Sequence, residues 1–237
     1  MSTVRVLLSG GMDSALCLAL AMDQGARPTA VFCEYGQRHR VMEAGAAALI
    51  AAEVSVPMVT VRGLDLGQGR LTGDEGGDLD AEGAVLPGRN RALLRAAAWA
   101  GGTRADEVWI GATADDQEVF EDCRRPYFDA LEREWGITIH SPLVEMTKAQ
   151  IVRSFEGRHQ LLRYTYSCYQ GWSLACGFCG ACRARARGFA EAGVKDPGGY
   201  EDRRYLTPCG FCGAGVGDRC HHPSHGWTTP HREREQG

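Results

Sequence analysis

No stretch constrains this chain more than Ser9-Gly10-Gly11-Met12-Asp13-Ser14. The apolar run Val4-Arg5-Val6-Leu7-Leu8 precedes it and Ala15 to Met22 follows, so it reads as the turn from a first buried strand into a first helix. Such a turn is an anion site. Paired glycines let backbone approach a phosphate, and the first free N–H groups of the helix point outward with the positive end of its dipole. Ser9 and Ser14 add hydroxyls, and Asp13 is a candidate magnesium ligand. The binding set drawn from this turn is Leu8, Ser9, Gly10, Gly11, Met12, Asp13, Ser14 and Ala15. A glycine turn that merely caps a helix carries similar letters, but here the flanking strand and helix supply the context a phosphate loop needs.

Downstream, strands and helices alternate. Strands are predicted at 29–33, 56–61, 107–111 and 137–140, and helices at 41–54, 91–99, 127–134 and 148–155. That order predicts an α/β chain, with a Rossmann-like parallel sheet covered by helices on both faces and ligands gathered beyond the carboxyl ends of the strands. Residues 65–83, rich in glycine and acids, break the pattern and read as a mobile loop near that edge. Several polar groups follow the strands: Glu34 to His39, Gly88-Arg89-Asn90, the acidic run Asp115, Asp116, Glu118 and Asp122 with Arg124, and Met146-Thr147-Lys148. Cations there would offset a triphosphate, and carboxylates would hold Mg2+.

The length of 237 residues suits one sizeable core with a small appendage. A net charge of −4 argues against a general nucleic-acid or membrane-surface binder. No leader pattern precedes the first strand and no apolar run is long enough to span a membrane, so a cytoplasmic protein is expected. Ten cysteines fit that setting once their spacing is read. Cys17 and Cys33 are small core residues. Cys168-x7-Cys176-x2-Cys179-x2-Cys182 offers four thiolates, which suit a closed tetrahedral zinc site, with iron–sulfur ligation as the competing use. Cys209-x2-Cys212-x7-Cys220 supplies three more, and His221, His222, His225 and His231 are available as a fourth ligand.

Ser-Gly-Gly-x-Asp-Ser resembles the signature of N-type ATP pyrophosphatases. Within that group, Glu34-Tyr35-Gly36-Gln37-Arg38-His39, Pro87-Gly88-Arg89-Asn90, Asp122-Cys123-Arg124, Pro142-Leu143 with Met146-Thr147-Lys148, Ser167-Cys168-Tyr169 and Cys176-Gly177-x-Cys179-x-x-Cys182-Arg183 resemble the 7-cyano-7-deazaguanine synthase family. The likeness runs from about Val4 to Pro197 and leaves Gly198 onward unexplained. It implies an adenine nucleotide alpha hydrolase-like domain over 1–197, including a four-cysteine zinc segment at about 165–190, and a separate tail over 198–237.

The resemblance further implies ATP-dependent conversion of 7-carboxy-7-deazaguanine and ammonia to the nitrile. Two adenylations would occur, first on the carboxylate and then on the amide oxygen, and the product would feed 7-deazaguanine modification of tRNA or phage DNA. A variant that stops at the amide or takes another amine is the nearest alternative. A nucleic-acid-modifying enzyme docked by its tail is the more distant one. Carried over, Asp13, Ser14, Arg89, Asp122, Arg124 and Lys148 form the catalytic set, with Gly88 and Asn90 beside nucleotide or substrate. Cys123 would be a pocket wall, since adenylation needs no covalent thiol. Free ammonia and a homodimer are expected. The tail resembles short C-x2-C-x7-C-x10-H fingers, which selects His231 and a second Zn2+, whereas local geometry alone allows His225. Residues 198–237 carry five Arg (203, 204, 219, 232, 234) and five acids (201, 202, 218, 233, 235), a poor balance for gripping a phosphate backbone. A stapled appendage or a protein contact is expected at least as much as DNA binding.

Overall fold

In the computed structural model the described residues are 2–67, 69–73, 84–117, 120–202, 204–222 and 226–228, with backbone alone for 222 and 226–228. Five short strands, β1 (Val4–Leu7), β2 (Thr29–Cys33), β3 (Met58–Val61), β4 (Glu107–Trp109) and β5 (Thr138–His140), pair in parallel in the order β3-β2-β1-β4-β5. Val6 sits between Ala30 and Trp109, Val31 pairs with Val59, and Val108 pairs with Ile139. Strand order reverses on the two sides of β1, so the end of β1 opens into the crevice where such sheets bind ligands.

Alternation along the strands feeds two cores. Val4, Val6 and Leu8 point to one face, against α1 (Met12–Asp23), α2 (Arg40–Glu53), α6 (Lys148–Arg153) and Phe189. Leu7, Val31, Val108, Ile110 and Ile139 point to the other, against α3 (Arg89–Ala98) and α5 (Arg125–Trp135). Both faces are covered, so strand residues read as apolar runs. Helix α1 is buried nearly all round, with Leu16, Cys17, Leu18 and Ala21 at 1% exposure or less. Among the described residues no helix is long and apolar enough to cross a membrane.

The sequence-predicted elements are present, with shifted edges. β3 starts at Met58 because Pro57 has no N–H to give the ladder, although its carbonyl still accepts from Ala30 N at 2.9 Å. α3 starts at Arg89, directly after Gly88 at φ 73°. Additional elements include the short α4 (Ala114–Gln117), α7 (Gly180–Ala192), an antiparallel hairpin of β6 (Cys220–His222) and β7 (Gly226–Thr228), and short 3-10 turns such as His159–Tyr164. Helix α7 packs along α6, and the approach is close enough that a Cβ on Gly188 would meet Lys148 Cβ at 2.7 Å. Its buried Arg185 pairs with Asp196 at 2.9 Å and donates to Thr165 Oγ1 at 2.7 Å, anchoring the helix to the chain before and after it.

The four-cysteine segment extends past residue 197. Glu201 N donates to Ala175 O at 2.8 Å and Asp202 N to Cys176 O at 3.2 Å. Gly177, at φ 83°, is required there, because a Cβ would fall 1.7 Å from Asp202 O.

Candidate functional site

At the carboxyl edge of β1 the glycine turn opens onto a cavity of about 880 Å³. Its first wall is the turn itself, with Leu8, Ser9, Gly11, Met12, Asp13 and Ser14 all lining the cavity. Hydroxyls shape the loop: Ser9 N donates to Ser14 Oγ at 3.2 Å, the two serine oxygens lie 3.1 Å apart, and Ser14 Oγ lies 3.0 Å from Gly11 O. No side chain caps α1, whose N-cap is Gly11, so its first-turn N–H groups are left without a side-chain acceptor in residues that line the cavity. Gly10 and Ala15 are absent from the lining. Gly10, at φ 85°, is needed because a Cβ would meet Glu43 O at 2.6 Å and Ala46 Cβ at 2.8 Å, so it seats the loop on α2. Gly111, after β4, performs a similar service, since a Cβ there would meet the Asp13 backbone at 3.0 Å.

Lys148, the first residue of α6, reaches back to Asp13 Oδ2 at 2.7 Å. The capping box of Thr147 and Gln150 fixes where α6 begins and hence where that lysine emerges. Burial raises the Asp13 carboxyl above its ordinary range and Asp116 and Asp115 add to the rise, against the pull of Lys148. Burial alone would lower the Lys148 ammonium, but Asp13 and Asp116 hold it above its usual value. Asp13 Oδ1 is buried without a hydrogen-bond partner. An orphaned carboxylate oxygen in a cavity that Asp115 and Asp116 also line is chemically suited to a hard cation.

The same cavity has a polar and aromatic wall of Tyr35, Gln37, His39, Glu43, Arg89 and Tyr169. Gln37 is fully engaged: its Nε2 donates to Cys33 O at 3.0 Å and to Glu43 Oε2 at 3.2 Å, and its Oε1 accepts from Tyr35 N at 2.8 Å. The His39 ring stands 5.8 Å from that of Tyr169, and its buried Nδ1 has no partner. Arg89 lies 5.6 Å over the Phe120 ring. Burial pushes Glu43 up to about 8, and lowers His39 from 6.5 to about 4. The two act on stability in opposite senses. Neutral His39 favours the fold above 6.5 and loses that contribution as pH falls toward 4, whereas Glu43 favours it while protonated and loses that contribution as pH rises through about 8. Of these two groups, only Glu43 changes its contribution between 6.5 and 8. Thermal melts across that window are expected to show the wild type losing stability by up to about 1.4 kcal/mol per pH unit more than Glu43→Gln. Parallel curves for the two proteins would contradict a protonated Glu43.

The remaining sequence-predicted residues stand as follows. Asn90 and Cys123 line the cavity, with Asn90 Nδ2 3.2 Å from Cys123 Sγ. Burial raises the Cys123 thiol to about 12, which suits a wall and not a nucleophile. Asp122 lies behind the lining, where Oδ2 accepts from Asn90 N at 3.2 Å at the start of α3. Arg124 is exposed and grips Gln117 O at 3.0 Å, and Gly88 also lies off the lining. Within the 65–83 loop, Leu71 is buried against Leu86 and lines the cavity, while 68 and 74–83 are outside the described residues, as is Glu118. Glu43, Arg185 and Arg187 also line the cavity and carry no local sequence signal, whereas Tyr169, Arg183 and Arg219 line it and each stand beside a clustered cysteine.

Two sulfur clusters flank the site. Cys168, Cys176, Cys179 and Cys182 are all buried, with sulfurs within 4.8 Å of one another, and Cys209, Cys212 and Cys220 meet the same limit. His231 and His225 are outside the described residues. Tyr166 N donates to Gly10 O at 2.8 Å, so the first cluster is two residues from the glycine turn.

A family model described as queuosine biosynthesis protein QueC matches residues 3–193. The 7-cyano-7-deazaguanine synthase of Geotalea daltonii is 37% identical over 224 residues, covering 84% of this chain and 96% of that protein. That of Xanthomonas campestris is 38% identical over 221 residues, covering 84% and 98%, and that of Geobacter metallireducens 37% over 217 residues, covering 82% and 92%. Among solved structures, the U34-tRNA thiolase NcsA from Methanococcus maripaludis aligns at 18% identity with a TM-score of 0.46, over 70% of this chain and 58% of that one.

Proposed function

The chain belongs to the QueC family of queuosine biosynthesis proteins, and from that premise we propose that it is a carbon–nitrogen bond-forming ligase that makes 7-cyano-7-deazaguanine from 7-carboxy-7-deazaguanine, ammonia and ATP. The observation that carries the reading is one cavity holding an uncapped helix N-terminus, the Asp13–Lys148 pair and a wall of aromatic, guanidinium and carboxyl groups. The first set suits a triphosphate and the second a planar, polar heterocycle.

The substrate carboxylate would attack the α-phosphorus of ATP, forming a P–O bond as pyrophosphate leaves. Ammonia would displace AMP from the acyl carbon to give the amide. The amide oxygen would attack a second ATP, again releasing pyrophosphate, and loss of AMP and two protons would leave the nitrile. In each round the N–H groups of Met12, Asp13 and Ser14 at the start of α1 would bind phosphate, the Ser9 and Ser14 hydroxyls shape the turn for it, and Lys148 and Arg89 offset developing negative charge. Mg2+, held by Asp13 with Asp115 or Asp116, would supply Lewis-acid neutralisation of the polyphosphate. Asn90 faces the substrate, and Gly88 sets the start of its helix. Asp122 acts by holding the Asn90 N–H at the start of α3, and Arg124 by holding Gln117 O. Four buried thiolates fit a structural Zn2+.

One incubation tests the reading: 7-carboxy-7-deazaguanine, ATP, Mg2+ and ammonium, followed by mass spectrometry and AMP quantification. Nitrile with two AMP per product is expected. Amide with one AMP would move the assignment to an enzyme that stops halfway, and absence of any product would reject it.

A further inference from the structure

The tail after residue 197 has no counterpart within the matched family region, yet it reaches the cavity. Arg219 lines the same cavity as the glycine turn, Lys148, Arg183 and Arg187. It is held from both sides along the chain. On one side is the tail's own sulfur cluster, because the next residue is the fully buried Cys220. On the other is α7. Gly217, at φ 78°, lies so close to that helix that a Cβ would fall 2.4 Å from Arg183 O and 3.1 Å from Arg187 Cβ. Its N–H donates to Tyr205 O at 2.8 Å, the Tyr205 ring lies 5.8 Å beneath the Arg183 guanidinium, and Asp218 faces Arg187 at 3.6 Å.

We propose that the tail is part of the nucleotide site: a three-cysteine knuckle, closed by metal, presents Arg219 to the polyphosphate of ATP. This rests on the ATP reading of the glycine turn. Charge selects the ligand class. Arg183, Arg187 and Arg219 rim the cavity together with Lys148, and a tri- or pyrophosphate is the ligand that needs several guanidiniums at once, whereas a neutral heterocycle does not. The placement also separates the tail from nucleic-acid docking, since Arg219 is half-buried at an intramolecular seam and Arg204 is tied to Asp202 at 2.7 Å.

Calorimetric titration of the full chain with Mg2+ and a non-hydrolysable ATP analogue, with pyrophosphate and with adenosine tests the proposal on wild type, Arg219→Ala, Arg219→Lys and Gly217→Ala, with zinc measured in each. Arg219→Ala is expected to weaken the analogue and pyrophosphate about tenfold or more, as loss of a charge-assisted hydrogen bond does, with adenosine unchanged. Arg219→Lys should restore part of the loss. Gly217→Ala should reproduce it with zinc content intact, because the added methyl lifts the tail from α7. Equal analogue affinity in wild type and Arg219→Ala would overturn the proposal, as would an equal loss for adenosine. A wild type that binds neither analogue nor pyrophosphate would instead remove the ATP reading, and this inference with it.

Discussion

Asp13→Asn is expected to cut AMP release by roughly 10²–10³-fold with 7-carboxy-7-deazaguanine as substrate, as removal of one preorganised electrostatic group at a transferring phosphate does. The exchange keeps shape and one acceptor, so the Lys148 contact at 2.7 Å can survive as a hydrogen bond from the ammonium to the amide oxygen and the loop keeps its fold. What disappears is the charge on the orphaned Oδ1, the atom best placed to take a cation. Lys148→Met should lose as much for the opposite reason. It leaves Asp13, Asp115 and Asp116 together in one cavity without the cation that offsets them, and it removes the ammonium from the phosphate. Combining the two changes should cost far less than the sum of the separate losses, because both act on one pair. The check is single-turnover AMP release, with thermal melts to show both proteins folded. Full activity in Asp13→Asn would mean that the chemistry lies outside the glycine turn.

How much of this site was legible in the sequence depends on how local each signal is. The glycine turn, the β2 boundaries at Thr29 and Cys33, and the four-cysteine spacing are set by neighbours a few residues apart, and all are found as read. Gly10 carries a cause beyond its turn, since its α-carbon approaches Glu43 O of α2 too closely for a Cβ, a tertiary fact. Helix α7 has no local signal because it begins inside the cysteine spacing, at Gly180 directly after Cys179, and buries Arg183 and Arg185, so its inward face looks polar in sequence. That polarity is matched by Asp196, Thr165 and Leu162 O around Arg185 and by Phe178 O and the Tyr205 ring around Arg183, partners that folding alone reveals. Glu43 sits in an otherwise ordinary alanine-rich helix, and nothing local distinguishes it from a solvent-facing glutamate. Arg219 is more than 200 residues from the turn it joins across the cavity.

The second large effect concerns the four-cysteine cluster. Cys179→Ser is expected to remove one equivalent of zinc and to lower stability on the order of 5 kcal/mol or more, since structural zinc binding is itself folding free energy and a domain has little stability to spare. The reason lies in what the cluster joins. Its four sulfurs lie among Tyr166, Tyr169, Ala175, Phe178, Tyr200 and Leu206, a patch with few aliphatic side chains to hold it together without metal. Cys179 also caps α7, while Tyr166 N holds Gly10 O and Tyr169 faces His39, so releasing the sulfurs frees one wall of the cavity as well as a helix start. Activity should therefore fall with the metal and not only with the fold. A chelator titration followed in parallel by zinc release, melting temperature and AMP formation separates the two, and a colourless protein throughout is expected for zinc where an iron–sulfur cluster would absorb visible light. The tail cluster gives an internal contrast: Cys212→Ser should also lose one equivalent of zinc, but leave the melting temperature of the sheet domain nearly unchanged, because the sheet's two cores include none of the tail's residues. If Cys179→Ser kept wild-type stability and AMP release, the metal would be incidental, and the position of α7 beside the glycine turn would have to come from the Arg185–Asp196 pair alone.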